Sequence, residues 1–158
     1  MDQLWSPWRY QYVTKANPNS GQCIFCEKPK ANDRTSLIIH RAERNFVLLN
    51  LYPYNNGHLM IAPYEHVATL EDCAETTLAE MMHLTRHAES VVRKVYRPQG
   101  INVGMNLGEC AGAGVAGHIH MHLLPRWTGD ASFLSVIGET RVLPEELSVS
   151  WQRLREAW

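Results

Sequence analysis

Three histidines alternate strictly with apolar residues: His118, His120 and His122 interleave Ile119, Met121 and Leu123 in the run Gly117-His-Ile-His-Met-His-Leu-Leu-Pro-Arg-Trp127. A period of two belongs to a β-strand, whose successive side chains point to opposite faces. The apolar set can seal a core while three imidazoles project from the other face; a helix would scatter them around its axis. Pro125 is expected to end regular pairing, because it cannot donate to the ladder.

Three kinds of chemistry compete for those imidazoles. Solvent-facing histidines with no shared role are a poor account of three in alternation beside the glycine-rich stretch Gly108–Gly117. A single zinc ion is strained: at ~3.3 Å per residue His118 and His122 lie ~13 Å apart along the backbone, whereas zinc needs every nitrogen at about 2.0–2.1 Å. Two neighbours can share a metal; three cannot easily. The preferred reading is nucleophilic catalysis at phosphorus. A neutral imidazole attacks, its neighbours donate to the non-bridging oxygens, and glycines upstream let backbone N–H groups approach the same oxygens. A second constellation, Cys23-Ile-Phe-Cys26, supplies half of a tetrahedral zinc site at a usual spacing. Buried cysteines or a redox pair are its alternatives. Cys73 and Cys110 read as ordinary thiols, and His40, His83 and His87 carry no motif.

Positioning these residues takes a small set of elements. Residues 36–40 and 45–51 read as paired strands around the polar turn at Arg41 to Arg44. Tyr52-Pro-Tyr-Asn-Asn-Gly57 is a turn, after which His58–Ala62 resumes a strand that Pro63 ends. From about Thr76 to Tyr96, Leu78, Met81, Met82, Ala88, Val91, Val92 and Val95 recur at helical spacing, and Pro98 and Gly100 close the helix. Ile101–Asn106 is a short strand, the histidine strand follows the glycines, and Pro144 to Trp158 is helical with Pro144 in the first turn. Strands around one long helix predict an α+β domain with a mostly antiparallel sheet. The expected division is an aromatic arm (residues 1–22, with Trp5, Trp8, Tyr10 and Tyr12), a domain over 23–143, and a C-terminal helix over 144–158 packed on it.

Composition narrows the partners. The chain has 158 residues, enough for one domain with its own core, and is 45% hydrophobic and 20% charged. A formal net charge of −1 and no basic block give no field for a nucleic-acid backbone, though a local site can still suit a phosphorylated small molecule. No apolar run reaches spanning length, and the start Met-Asp-Gln-Leu-Trp lacks the order of a signal peptide. The expectation is a cytoplasmic protein that spans no membrane.

Gly117-His-Ile-His-Met-His-Leu-Leu-Pro-Arg126 resembles the signature of the histidine triad (HIT) family of nucleotide hydrolases and transferases, and the similarity runs from Cys23 to about Arg126. It includes the helical stretch and the segment from Asn50 to His66. The resemblance implies an antiparallel sheet with a long helix, usually in a homodimer or a higher homo-oligomer. It makes His120 the nucleophile that forms a covalent nucleotidyl-histidine, with His122 and Asn106 on the phosphate. It places Asn50 on the ribose hydroxyls, lets His58 line the cleft, and adds Phe46 to the nucleotide site. Some bacterial members complete the Cys23/Cys26 site with a histidine after the strand that Pro63 ends and with the first triad histidine. Those positions are His66 and His118, so the resemblance implies a structural zinc.

The sequence departs from the commonest family pattern, Ala-Gly-Gln-(Ser/Thr)-Val-x-His, just before the triad. Here the stretch is Ala111-Gly-Ala-Gly-Val-Ala-Gly117, one residue longer and without the Gln and hydroxyl side chains. Backbone N–H groups, at Gly114 and Val115 for instance, are the expected substitutes. This variant, with Leu4-Trp-Ser-Pro-Trp-Arg-Tyr10 and Pro125-Arg-Trp-Thr-Gly-Asp130, is similar to the bacterial diadenosine tetraphosphate (Ap4A) phosphorylase branch of the family. That branch implies phosphorolysis of Ap4A to ADP and ATP, with AMP carried on the histidine and inorganic phosphate as acceptor. The alternatives are a HIT-type nucleotide hydrolase, a purine nucleoside phosphoramidase, and a nucleotide-binding protein with little turnover.

Overall fold

The computed structural model describes residues 23–131 and 143–158; the proposed arm over residues 1–22 lies outside the described residues, as does 132–142. The elements are α1 (Ile24–Glu27), α2 (Asp33–Ser36), β1 (Ile38–Arg41), β2 (Asn45–Leu49), β3 (Leu59–Pro63), α3 (Glu75–Tyr96), β4 (Gly100–Gly104), β5 (Met121–Arg126) and α4 (Leu147–Ala157). Five strands form one sheet in the order β1-β2-β3-β5-β4, every neighbouring pair antiparallel. The expected α+β architecture, an antiparallel sheet with one long helix, is what the chain adopts. No helix among the described residues is long and apolar enough to cross a membrane.

Alternation along the strands sorts the core into two layers. Ile39, Val47, Leu49, Leu59, Ile61 and Leu123 face the helices, where they meet Met81, Leu84, Ala88, Val91 and Val92 of α3 and Leu154 of α4. Ile38, Phe46, Leu48, Met60 and Ala62 face the other way, with Phe25 of α1 laid over them. Each of the larger buried side chains among these contributes about 1.5–3 kcal/mol. Met82, part of the apolar helical pattern, instead points outward at 57% exposure. The β1–β2 turn is held from α3: the Glu80 carboxylate accepts from Arg44 N (2.9 Å), Glu43 N (3.2 Å) and Asn45 Nδ2 (2.8 Å).

Several boundaries differ from the sequence expectation, each for a local reason. Ser36 ends α2 rather than opening a strand: Asn32 caps that turn by accepting Arg34 N, and Leu37 closes it in the left-handed region at φ 60°. The second strand stops at Leu49, where Asn50 N donates to His58 O (2.9 Å) and closes the turn over residues 51–57. In that turn Gly57 sits at φ +74° with the Tyr96 ring against its Cα; a Cβ there would lie 2.5 Å from Tyr96 Cε2. β4 stops at Gly104, two residues short of Asn106. α4 begins at Leu147, so Pro144 stands outside the first turn. Glu145 accepts from Tyr96 Oη (2.7 Å) and Ser150 Oγ (2.6 Å), which fixes the approach to the helix.

Pro125 is the clearest correction: it lies within β5, paired opposite Ile101, with Arg126 opposite Gly100. Neighbouring carbonyls point to opposite sides of a strand. Arg126 O faces the β4 side, where it accepts Gln99 N (3.0 Å), and Pro125 O faces the other, where it accepts Asn55 Nδ2 (3.1 Å). Pro125 therefore occupies a position whose N–H would not have bonded to β4. On its other side β3 pairs only with Met121 to Leu123, so no ladder bond is lost there either.

Candidate functional site

The three imidazoles share the sheet face opposite the helices, and the apolar residues between them face the core: Ile119 is 2% exposed and Leu123 fully buried. His118 and His120 precede the ladder, and Ile119 N anchors this approach by donating to Val67 O (2.8 Å). The His120 and His122 rings stand edge to face at 4.8 Å. His118 turns away from them toward the two cysteines.

Partner chemistry fixes the tautomers. His120 Nδ1 lies 2.9 Å from His118 O, and a carbonyl can only accept. The proton is on Nδ1, and Nε2 keeps its lone pair. Burial holds His120 below the ordinary histidine pKa, so the ring is neutral at pH 7. A second chain begins at Tyr54 N, which donates to His58 Nδ1 (3.2 Å), with the Asn50 amide 3.4 Å from the same nitrogen. His58 therefore carries its proton on Nε2 and donates it to His122 Nδ1 at 2.9 Å. His122 is left with its proton on Nε2, a hydrogen-bond donor. Burial, then the neighbouring histidines, pushes His58 down to about 3, and burial followed by His120 takes His122 to about 4. One neutral imidazole thus offers a lone pair and its neighbour offers a proton.

Cys23, Cys26, His66 and His118 form a second cluster whose four ligand atoms all lie within 4.8 Å of one another. Cys23 Sγ and Cys26 Sγ are 3.4 and 3.7 Å from His118 Nδ1, and Cys26 Sγ is 3.4 Å from His66 Nδ1. A tetrahedral zinc with S at about 2.3 Å and N at about 2.0–2.1 Å separates those atoms by about 3.6 Å, so the donor set fits the ion. His118 Nε2 donates to Pro63 O (2.9 Å), which leaves Nδ1 as the ligating atom and orients its ring. The two cysteines are free thiols. Burial, and then Cys23, raises the Cys26 thiol pKa; a cation would reverse that by binding the thiolate. Four protein ligands leave no open position, the pattern of a structural site.

The remaining sequence-designated residues fall around this face. Asn50 is half-buried, and its Oδ1 accepts Tyr52 N (3.0 Å). His58, expected to line the cleft, has no exposed surface and stands behind His122. Phe46 is likewise wholly buried, stacked on Tyr64 at 5.3 Å, beneath the face rather than on it. Asn106 holds the glycine-rich loop through Gly112 O (3.4 Å). Gly114 is half-buried, and Val115 packs on the Phe25 layer while its carbonyl faces His118 N at 3.4 Å. Sequence reasoning missed three participants. Phe25 lies tilted against the His120 ring at 4.6 Å, Tyr54 lies 4.9 Å from the His58 ring, and the Pro63 carbonyl orients His118. The aromatic residue between Cys23 and Cys26, and the one four residues before His58, were the available signals.

A family model described as "HIT domain" matches residues 31–129. Over 165 aligned residues, all of this chain and 85% of the relative, the sequence is 41% identical to AP-4-A phosphorylase of Mycobacterium tuberculosis (strain ATCC 25618 / H37Rv). It is 30% identical over 97 residues to the asymmetrical bis(5'-nucleosyl)-tetraphosphatase of Schizosaccharomyces pombe, covering 61% of this chain and 53% of that one. Among solved structures, a Zn-bound histidine triad family protein from Mycobacterium smegmatis superposes with a TM-score of 0.69 at 28% identity, covering 86% of this chain and 92% of the other.

Proposed function

The chain belongs to the HIT domain family, and from that premise we propose that it is a nucleotidyltransferase that phosphorolyses Ap4A through a covalent AMP-histidine intermediate. One observation carries the chemistry: His120 is buried, neutral, and tied through Nδ1–H to the His118 carbonyl, so its lone pair is on Nε2. The full-length likeness to AP-4-A phosphorylase supports the choice of substrate.

In the first displacement His120 Nε2 attacks the α-phosphorus of Ap4A; the bond to the bridging oxygen breaks, ATP leaves, and AMP stays on His120. In the second, inorganic phosphate attacks the same phosphorus, the P–N bond breaks, and ADP is released. His122 Nε2–H donates to a non-bridging oxygen, as does Asn106 with the backbone N–H groups of Gly114 and Val115. His58 fixes the His122 tautomer from behind. Asn50 meets the ribose, and Phe46 supports the floor of the nucleotide site. Cys23, Cys26, His66 and His118 hold a zinc ion whose contribution is structural: it ties α1 to the approach to β5.

The same reading makes residues 23–143 the catalytic domain, with the arm over 1–22 and the helical segment over 144–158 appended to it, in a cytoplasmic homodimer. β4 supports the dimer. Among the described residues it is an edge strand with Val103 49% exposed, and edges of this kind invite pairing. Incubating purified protein with Ap4A, with and without phosphate, tests the acceptor. Sustained turnover to ADP plus ATP that requires phosphate is the predicted outcome. AMP plus ATP regardless of phosphate would replace the phosphorylase reading with a hydrolase.

A further inference from the structure

Two residues separate the thiols of Cys23 and Cys26, and they face opposite ways: Ile24 is 49% exposed and Phe25 1%. The Phe25 ring lies 4.6 Å from the His120 ring at 33° and 5.3 Å from the His118 ring at 42°. The hydrogen bond from His120 Nδ1 to His118 O pins one nitrogen but lets the ring tilt about that bond. Ring contacts set where Nε2 points: His122 stands edge to face at 4.8 Å, and the Phe25 ring is nearer at 4.6 Å. The Nδ1 tether and the Phe25 contact both originate among the cluster's residues, since the carbonyl belongs to His118 and Phe25 is flanked by Cys23 and Cys26.

We propose that Phe25 is a positioning residue that couples the Cys23/Cys26/His66/His118 centre to the His120 imidazole. This inference rests on the reading of His120 as nucleophile and of the cluster as a zinc site. α1 is four residues long, held in the backbone by Cys26 N and Glu27 N donating to Cys23 O at 3.0 and 3.1 Å. A single turn is not stable alone, because nucleation fixes several residues for one or two bonds. Packing of Phe25 on the Ile38, Phe46, Leu48, Met60 and Ala62 layer seats the ring, and ligation of Cys23 and Cys26 fixes the turn on either side of it. Loss of the ion removes the second of these restraints, so Phe25 shifts on that layer and Nε2 with it.

The test compares the intact protein with Phe25→Ala and Phe25→Leu, zinc-loaded and after chelation. Three quantities are read: zinc per chain, the 1H–15N signal of the His120 Nδ1–H proton, and kcat and KM on Ap4A with phosphate. Phe25→Ala is expected to retain its zinc, to lose the Nδ1–H signal to exchange, and to lower kcat roughly tenfold or more with KM little changed. Phe25→Leu keeps the apolar bulk and recovers part of both; it decides the question if Phe25→Ala does not fold. Chelation of the intact protein is expected to reproduce both losses, reversed by zinc, and to add little in Phe25→Ala. Unchanged signal and kcat in both zinc-loaded variants, or an equal cost of chelation with and without Phe25, would overturn the coupling. Failure of the nucleophile reading shows separately, as turnover that survives in His120→Ala. Failure of the zinc reading shows as no ion in the unsubstituted protein.

Discussion

Acid should destabilise this protein through His58. Its imidazole has no exposed surface, and burial reinforced by His122 and His120 pushes its pKa from 6.5 down to about 3. The unfolded chain takes up a proton near pH 6.5 and the folded chain not until about pH 3, so between those values the unfolded state binds more protons. Stability therefore rises with pH through this window: the contribution is complete above about pH 6.5 and is lost as pH falls toward 3. At pH 5 the gap is roughly 1.5 pH units, or about 2 kcal/mol from this residue alone, a large part of an ordinary domain's 5–15 kcal/mol. The assay is urea unfolding of the zinc-saturated protein and of His58→Gln at about pH 7.5 and about pH 5. Glutamine does not titrate, can still donate to His122 Nδ1, and leaves all four metal ligands in place, so acid release of the ion enters both proteins alike. The unsubstituted protein should lose about 2 kcal/mol more than the variant over that interval. Equal losses would refute a neutral, buried His58.

Removing one thiol with Cys26→Ser should lower the zinc content from about one ion per chain to a small fraction and lower Tm, as read by metal analysis and calorimetry; full zinc content in the variant would contradict the four-ligand site. Gly57→Ala combines a left-handed backbone with a Cβ 2.5 Å from the Tyr96 ring and should cost about 1–3 kcal/mol in urea unfolding. A cost below about 0.5 kcal/mol would mean that the turn before His58 is looser than described.

The parts of this molecule written in short periods could be read from the sequence, and those set by distant neighbours could not. The alternation that sets His118, His120 and His122 apart from the core also buries Ile119 and Leu123, although β5 begins only at Met121 and leaves His118 and His120 on the approach to it, and the α3 stripe emerges from spacings of three and four. Cys23 and Cys26, paired by their spacing, and His66 and His118, added through family resemblance, do converge in a cluster that could hold a metal ion. Pro125 was misread because its tolerance depends on where β3 stops, a property of a strand some sixty residues earlier. The start of α4 was misplaced because Glu145 is engaged by Tyr96 and Ser150, and nothing in residues 144–158 announces that Tyr96 is near. His58, expected to line the cleft, is buried against His122, because a motif position gives proximity but not depth. Phe25 was passed over because an aromatic residue between two cysteines acquires meaning only when His120 arrives from 95 residues on.

The central claim is that His120 becomes covalently nucleotidylated, and the most direct test is to look for that species. Protein mixed with Ap4A in the absence of phosphate is quenched in the first turnovers and its intact mass measured, followed by peptide mapping at neutral to mildly alkaline pH. The predicted result is a single AMP adduct on the peptide carrying His120, discharged as ADP when phosphate is added and absent from His120→Ala. An adduct on another residue, or full turnover by His120→Ala, would contradict the account.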